Sequence, residues 1–160
     1  MNIAFRVDSS LSIGLGHVAR CITLANEFKK KNCKVIFISK ELENFSKQIL
    51  KKRKIKYFLI KKDLSQKNDS KETLKILKKN GVDLIFLDNY SLGLNWEKKI
   101  RKKTKLALID DYYNRRSIAD FYINYHCYLY GNKFSKLKNY CKKFIGLEYA
   151  ILKKKKNIKK

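Results

Sequence analysis

Four short runs, residues 2–7 (NIAFRV), 34–39 (KVIFIS), 83–88 (DLIFLD) and 105–110 (KLALID), are apolar at nearly every position rather than at every second one. Such strands are buried on both faces, which requires a mostly parallel sheet with helices on either side. The stretches between them carry helical spacing. From Gly16 onward Val18, Cys21, Ile22, Ala25 and Phe28 share one face, Leu42, Phe45 and Ile49 mark a second helix, and Leu74 and Leu77 mark a third that stops at Asn80-Gly81. Residues 55–60 supply another strand, residues 62–70 read as a polar loop, Trp96 and Ile100 indicate a short helix, and residues 121–124 and 143–145 read as shorter strands. The expectation is an α/β fold without internal repeats.

Sheets of this kind bind ligands beyond the carboxyl ends of their strands. Those ends are polar here: Asp8-Ser9-Ser10, Asp88-Asn89-Tyr90-Ser91, Asp110-Asp111-Tyr112-Tyr113 and Asn124-Tyr125-His126. Many such residues serve only as helix caps and turn formers, yet the whole set would rim one crevice. The first loop ends in Ile13-Gly14-Leu15-Gly16-His17, so His17 falls in the first turn of the first helix. Backbone N–H groups there lack intrahelical partners and the helix dipole is positive, while Gly14 and Gly16 allow a ligand to approach closely. A neutral imidazole beside a bound diphosphate is placed to take a proton from water or a hydroxyl.

The net charge of +25 over 160 residues raises the question of a nucleic-acid partner. Its distribution argues against one. Arg6, Asp8, Arg20 and Glu27 cancel within residues 1–28, no lysine precedes Lys29, and only Arg6, Arg20, Arg53, Arg101, Arg115 and Arg116 are arginine, the residue best suited to bidentate recognition. The lysine excess, with no proline, fits a compositional bias equally well. Cys21, Cys33, Cys127 and Cys141 lack metal-ligand spacing and read as reduced thiols. No apolar run is long enough to span a bilayer, and the start of the chain runs straight into a strand without a signal peptide's regions. The expectation is a cytoplasmic location without membrane association.

Gly14-Leu15-Gly16-His17-Val18-Ala19 also matches G-x-G-x-x-A, with Glu41 after the second strand in the place of a ribose-binding acid. In a dinucleotide site the first glycine follows the strand directly, whereas residues 8–13 intervene here. A buried structural histidine is the other reading of His17.

Phe5-Arg6-Val7-Asp8-Ser9-Ser10, followed by Ile13-Gly14-Leu15-Gly16-His17 and Arg20, resembles the opening of the UDP-2,4-diacetamido-2,4,6-trideoxy-β-L-altropyranose hydrolases of pseudaminic acid biosynthesis. Further motifs keep the order of that family: Asp88-Asn89-Tyr90, Leu108-Ile109-Asp110-Asp111, the segment from Ala119-Asp120 to Asn124, and Gly146 to Leu152. The glycine loop alone is shared with two-domain glycosyltransferases such as the N-acetylglucosaminyltransferase of peptidoglycan synthesis. The resemblance implies a Rossmann-like N-terminal half of a glycosyltransferase-B architecture that cleaves a UDP-sugar without cofactor or metal. It makes His17 the group that positions and deprotonates the attacking water. It places Arg6, Asp8, Ser9, Gly14, Leu15, Gly16, Arg20, Tyr90, Asp110 and Asp111 around a nucleotide-sugar substrate, Tyr90 in the sugar pocket, Arg6, Asp8 and Arg20 in ion pairs that hold the loop. Asn89 stands where the family has a histidine.

Residues 1–152 are accordingly expected to form the catalytic N-terminal domain, and residues 153–160 a lysine-rich tail or the start of a linker to a missing C-terminal domain or partner chain. The resemblance implies that this missing half carries most uridine and diphosphate contacts, so activity is expected to require it alongside the 160 residues. A glycosyltransferase using a nucleotide sugar and a non-catalytic basic binding domain remain the alternatives.

Overall fold

The computed structural model describes residues 1–112, 115–126 and 137–153. Tyr113, Cys127 and the lysine tail from residue 154 lie outside the described residues. Strands β1 (Asn2–Val7), β2 (Lys34–Ser39), β3 (Lys56–Leu59), β4 (Leu84–Asp88), β5 (Lys105–Ile109), β6 (Phe121–Asn124) and β7 (Lys142–Ile145) form one sheet in the order β3-β2-β1-β4-β5-β6-β7. Every pairing is parallel. Helices α1 (Gly16–Lys30), α2 (Asn44–Lys52), α3 (Gln66–Lys79) and α4 (Leu94–Arg101) connect successive strands as far as β5, and a short 3-10 turn covers Leu147–Tyr149.

Strand alternation sorts the core into two layers. Ile3, Phe5 and Val7 of β1 face Val18, Cys21, Ile22 and Ala25 of α1 and Leu50 of α2, whereas Ala4 joins Leu77 of α3 and Trp96 and Ile100 of α4 on the other side. Register places Phe5 between Phe37 and Phe86, and both ring pairs stack at 5.0 Å. On the α1 face β4 to β7 border an apolar trough of about 320 Å³ lined by Phe28, Phe86, Phe121, Phe144, Tyr149 and Ile151 among others. Among the described residues no helix is long and apolar enough to cross a membrane.

One expectation fails. The polar stretch 62–70 is not all loop, because α3 begins at Gln66 with Ser65 as its N-cap, whose side chain accepts from the Asn68 N–H. The first turn lacks apolar periodicity because its buried face is itself polar: Asp69, Ser70 and Thr73 point inward. Asp69 is needed there by Arg6, which alternation places on the α3 side of β1 and which is fully buried. The Arg6 guanidinium donates to both carboxylate oxygens of Asp69 (3.3 and 2.7 Å) and to Asp8 (2.7 Å), and the Trp96 indole N–H donates to Asp69 at 2.8 Å.

Removing Arg6 takes the nearest counter-charge from two buried carboxylates and leaves Asp69 with Lys40 Nζ at 3.7 Å, so Arg6→Ala is expected to lower the unfolding free energy by about 3–5 kcal/mol in urea titrations. Leu11→Ala, at a fully exposed loop tip, is expected to change it by less than about 0.5 kcal/mol. Burial pushes the Asp69 carboxyl up, but the hydrogen bond and charge of Arg6 outweigh this and hold it below the ordinary range. Its stabilising contribution is therefore present above the unfolded-state value near 4 and is lost as pH falls through the lower folded-state value. The stability gap between wild type and Asp69→Asn should close on acidification, measured by urea midpoints between pH 7 and pH 2.

Candidate functional site

The carboxyl ends of β1, β4, β5 and β6 lie side by side along one edge of the sheet, the edge at which parallel α/β sheets bind ligands, and the loop from Asp8 to Leu15 leaves β1 there. Within that loop Gly14 N–H donates to the Ser10 carbonyl (2.8 Å), Ile13 N–H to Ser10 Oγ (3.2 Å), and Ser10 and Ser12 hydroxyls pair at 2.9 Å. Gly14 has φ of 79°, the left-handed region where glycine is favoured. A Cβ on Gly14 or Gly16 would meet nothing within 4 Å. The space beside both glycines is thus open rather than filled by protein. No side chain caps α1 at Leu15 and no acidic residue lies in its first turn, so its N–H groups and positive dipole end are left to a ligand.

Asp88, the last residue of β4, is the centre of the site. Its side chain is fully buried, and His17 Nδ1 lies 2.6 Å from Oδ1. Arg20, one helical turn after His17, donates from Nε to Oδ2 (2.6 Å) and from Nη2 to Oδ1 (2.6 Å), a bidentate pair. His17 Nδ1 also lies 3.0 Å from Arg20 Nη2, because both groups converge on the same carboxylate oxygen. A carboxylate only accepts, so the proton shared with Asp88 sits on Nδ1, and in the neutral imidazole the lone pair is then on Nε2.

Asp111 forms a second centre. It accepts from Arg20 Nη1 at 2.6 and 2.9 Å and from the Tyr90 hydroxyl, and His126 Nε2 lies 3.6 Å away. Burial pushes the Asp111 carboxyl up, but hydrogen bonds from Arg20 and Tyr90 hold it below the usual range, while burial and the Asp111 hydrogen bond push the Tyr90 phenol up. The Tyr90 ring meets His17 edge-on at 4.8 Å and Tyr112 at 5.0 Å, making an aromatic wall. Tyr90 and Tyr112 are both exposed.

The remaining expected residues divide by burial. Asp8 accepts from Arg6, from the Lys40 N–H (2.7 Å) and from Asn89 Nδ2 (2.7 Å), tying the ends of β1, β2 and β4 together. Arg6 and Ser9 are sealed from solvent, Ser9 by its bonds to the Glu43 N–H (3.0 Å) and Ser46 (3.3 Å), so both support the loop and neither reaches a ligand. Asp110 is closed off in the same way, accepting from the Tyr122 hydroxyl at 2.9 Å and the Tyr112 N–H at 3.2 Å, and burial pushes its carboxyl up. Leu15 is exposed beside the glycines. The Glu41 carboxylate is engaged by Lys62 at 2.8 Å on the surface.

Asp88, Tyr112, Tyr125 and His126 complete the cluster; the sequence placed all four on the rim but gave none of them a role in the chemistry. Tyr125 accepts from Arg20 Nη1 at 2.8 Å, and its ring lies 4.5 Å from that of His126. The available signal was that the chain has only two histidines, His17 in the first turn of α1 and His126 just after β6. Among the described residues no group of three or more His, Cys, Asp or Glu side chains is arranged to hold a metal ion.

No protein-family model matches the chain. An uncharacterised protein of Methanocaldococcus jannaschii is 31% identical over 157 residues, covering 95% of this chain and 31% of that protein. The UDP-2,4-diacetamido-2,4,6-trideoxy-beta-L-altropyranose hydrolase of Campylobacter jejuni is 24% identical over 155 residues, covering 95% of this chain and 52% of the enzyme. The crystal structure of Acinetobacter baumannii MurG superposes with a TM-score of 0.64 and 12% identity, covering all of this chain and 48% of MurG. The chain thus spans between about a third and about half the length of these proteins, and its fold is the Rossmann-like α/β fold of the part of MurG on which it superposes.

Proposed function

We propose that this chain is the water-activating half of a nucleotide-sugar hydrolase that cleaves UDP-2,4-diacetamido-2,4,6-trideoxy-β-L-altropyranose to UDP and the free sugar. The observation that carries the reading is the His17–Asp88 pair: a buried carboxylate fixes the imidazole tautomer so that Nε2 accepts a proton at the mouth of the crevice. In the reaction a water oxygen bonds to the anomeric carbon, its proton passes to His17 Nε2, and the electron pair of the breaking C1–O bond leaves with the diphosphate. Configuration at the anomeric carbon inverts. The uncapped start of α1 stabilises the charge developing on the diphosphate, and the space at Gly14 and Gly16 admits it. Asp88 stabilises the imidazolium formed, while Tyr90 and Tyr112 border the sugar. The 24% identity to the Campylobacter jejuni hydrolase over nearly the full chain supports this choice. A second half, supplied by a longer chain or a partner, holds the uridine.

The superposition on MurG supports a second reading with the same site, a glycosyltransferase in which an acceptor hydroxyl replaces water. The two differ in whether UDP release needs an acceptor.

UDP release from the altropyranose substrate should depend on adding a separately expressed C-terminal half, and His17→Ala should lower it by about 10²–10⁴-fold, the usual span of general-base catalysis. No release by the reconstituted pair without an acceptor excludes the hydrolase. Gly16→Ala should raise KM several-fold without lowering the unfolding midpoint, since the new methyl group meets substrate and no protein atom. An unchanged KM places the substrate elsewhere.

A further inference from the structure

We propose that Arg20 is a positioning residue that locks His17 and Tyr90 into one rigid unit and does not itself bind substrate; this rests on the hydrolase reading of the same crevice. A guanidinium offers five N–H donors in a fixed plane. Nε and Nη2 are spent on the two oxygens of Asp88, and Nη1 on Asp111 and the Tyr125 hydroxyl. The Arg20 side chain is only 9% exposed. Little of it is left for an incoming diphosphate.

The geometry makes the arginine a bridge. Asp88 ends β4, Asp111 follows β5, and Tyr125 follows β6, so one side chain from α1 ties three strand ends together. On one side of the bridge Asp88 carries His17; on the other Asp111 carries the Tyr90 hydroxyl. The two rings then meet at 4.8 Å. Their spacing is thereby set from both ends, by carboxylates that the same cation holds. Lysine supplies the charge but no planar fork that spans both carboxylates.

Arg20→Lys tests this with two independent readouts. In the 160-residue chain, ring-to-ring nuclear Overhauser contacts between His17 and Tyr90 should weaken while the backbone amide spectrum away from the crevice is retained; undiminished contacts overturn the bridge. This readout needs no activity, so it stands even if the hydrolase reading fails. In the reconstituted enzyme kcat should fall on the order of 10²-fold, the cost of misplacing a reacting group by about 1 Å, with KM within about twofold. A raised KM with kcat unchanged would show that Arg20 binds substrate and overturn the proposal. Where Arg20→Lys does not fold, Asp111→Ala removes the acceptor at the far end of the bridge: the His17–Tyr90 contacts should again weaken, and their persistence overturns it.

Discussion

A single buried carboxylate, that of Asp88 at the end of β4, organises this molecule's functional edge. A charge sealed from solvent is tolerated only with partners that satisfy its oxygens, and the partners available are His17 and Arg20 on the first turns of α1. Their spacing of three residues brings both to one face of the helix. One residue further, the buried Cys21 thiol lies 3.5 Å from the same carboxylate. The start of α1 is thereby tied to the end of β4 through two side chains, beside the apolar face that packs the same helix into the core.

Net charge hides this chemistry. The chain carries +25, yet the strand ends at this edge concentrate Asp8, Asp88, Asp110 and Asp111, and Arg20 is divided between two of them. The lysine excess lies on the surface, as at Lys30, Lys62 and Lys75, whose carboxylate pairs are exposed. The uncapped start of α1 adds the positive end of its dipole at this edge without any lysine side chain.

Much of the fold was legible because its strands are apolar on both faces, a pattern specific to a covered parallel sheet. The start of α3 was not, because its inner face answers a buried arginine rather than a hydrophobic layer, and Asp69 cannot be linked to Arg6 without the β1–α3 contact. Arg6 shows the same limit at the site. From the motif it belongs with the substrate, but strand alternation turns it away from the crevice, into the α3 side of the sheet. His17 was legible from its place after the glycines. Its partnership with Asp88 depends on β1 and β4 lying side by side, and that of His126 with Asp111 on β5 and β6 doing so. Both are facts of strand order that local sequence does not carry.

The most direct test of a water-activating His17 is the fate of oxygen in ¹⁸O-labelled water during turnover by the reconstituted enzyme, read by mass spectrometry before the free sugar's anomeric hydroxyl exchanges. One ¹⁸O in the released sugar and none in UDP is the predicted result, because water attacks the anomeric carbon and the C1–O bond breaks. Label in the β-phosphate of UDP, or a glycoside product with no label, would contradict the account.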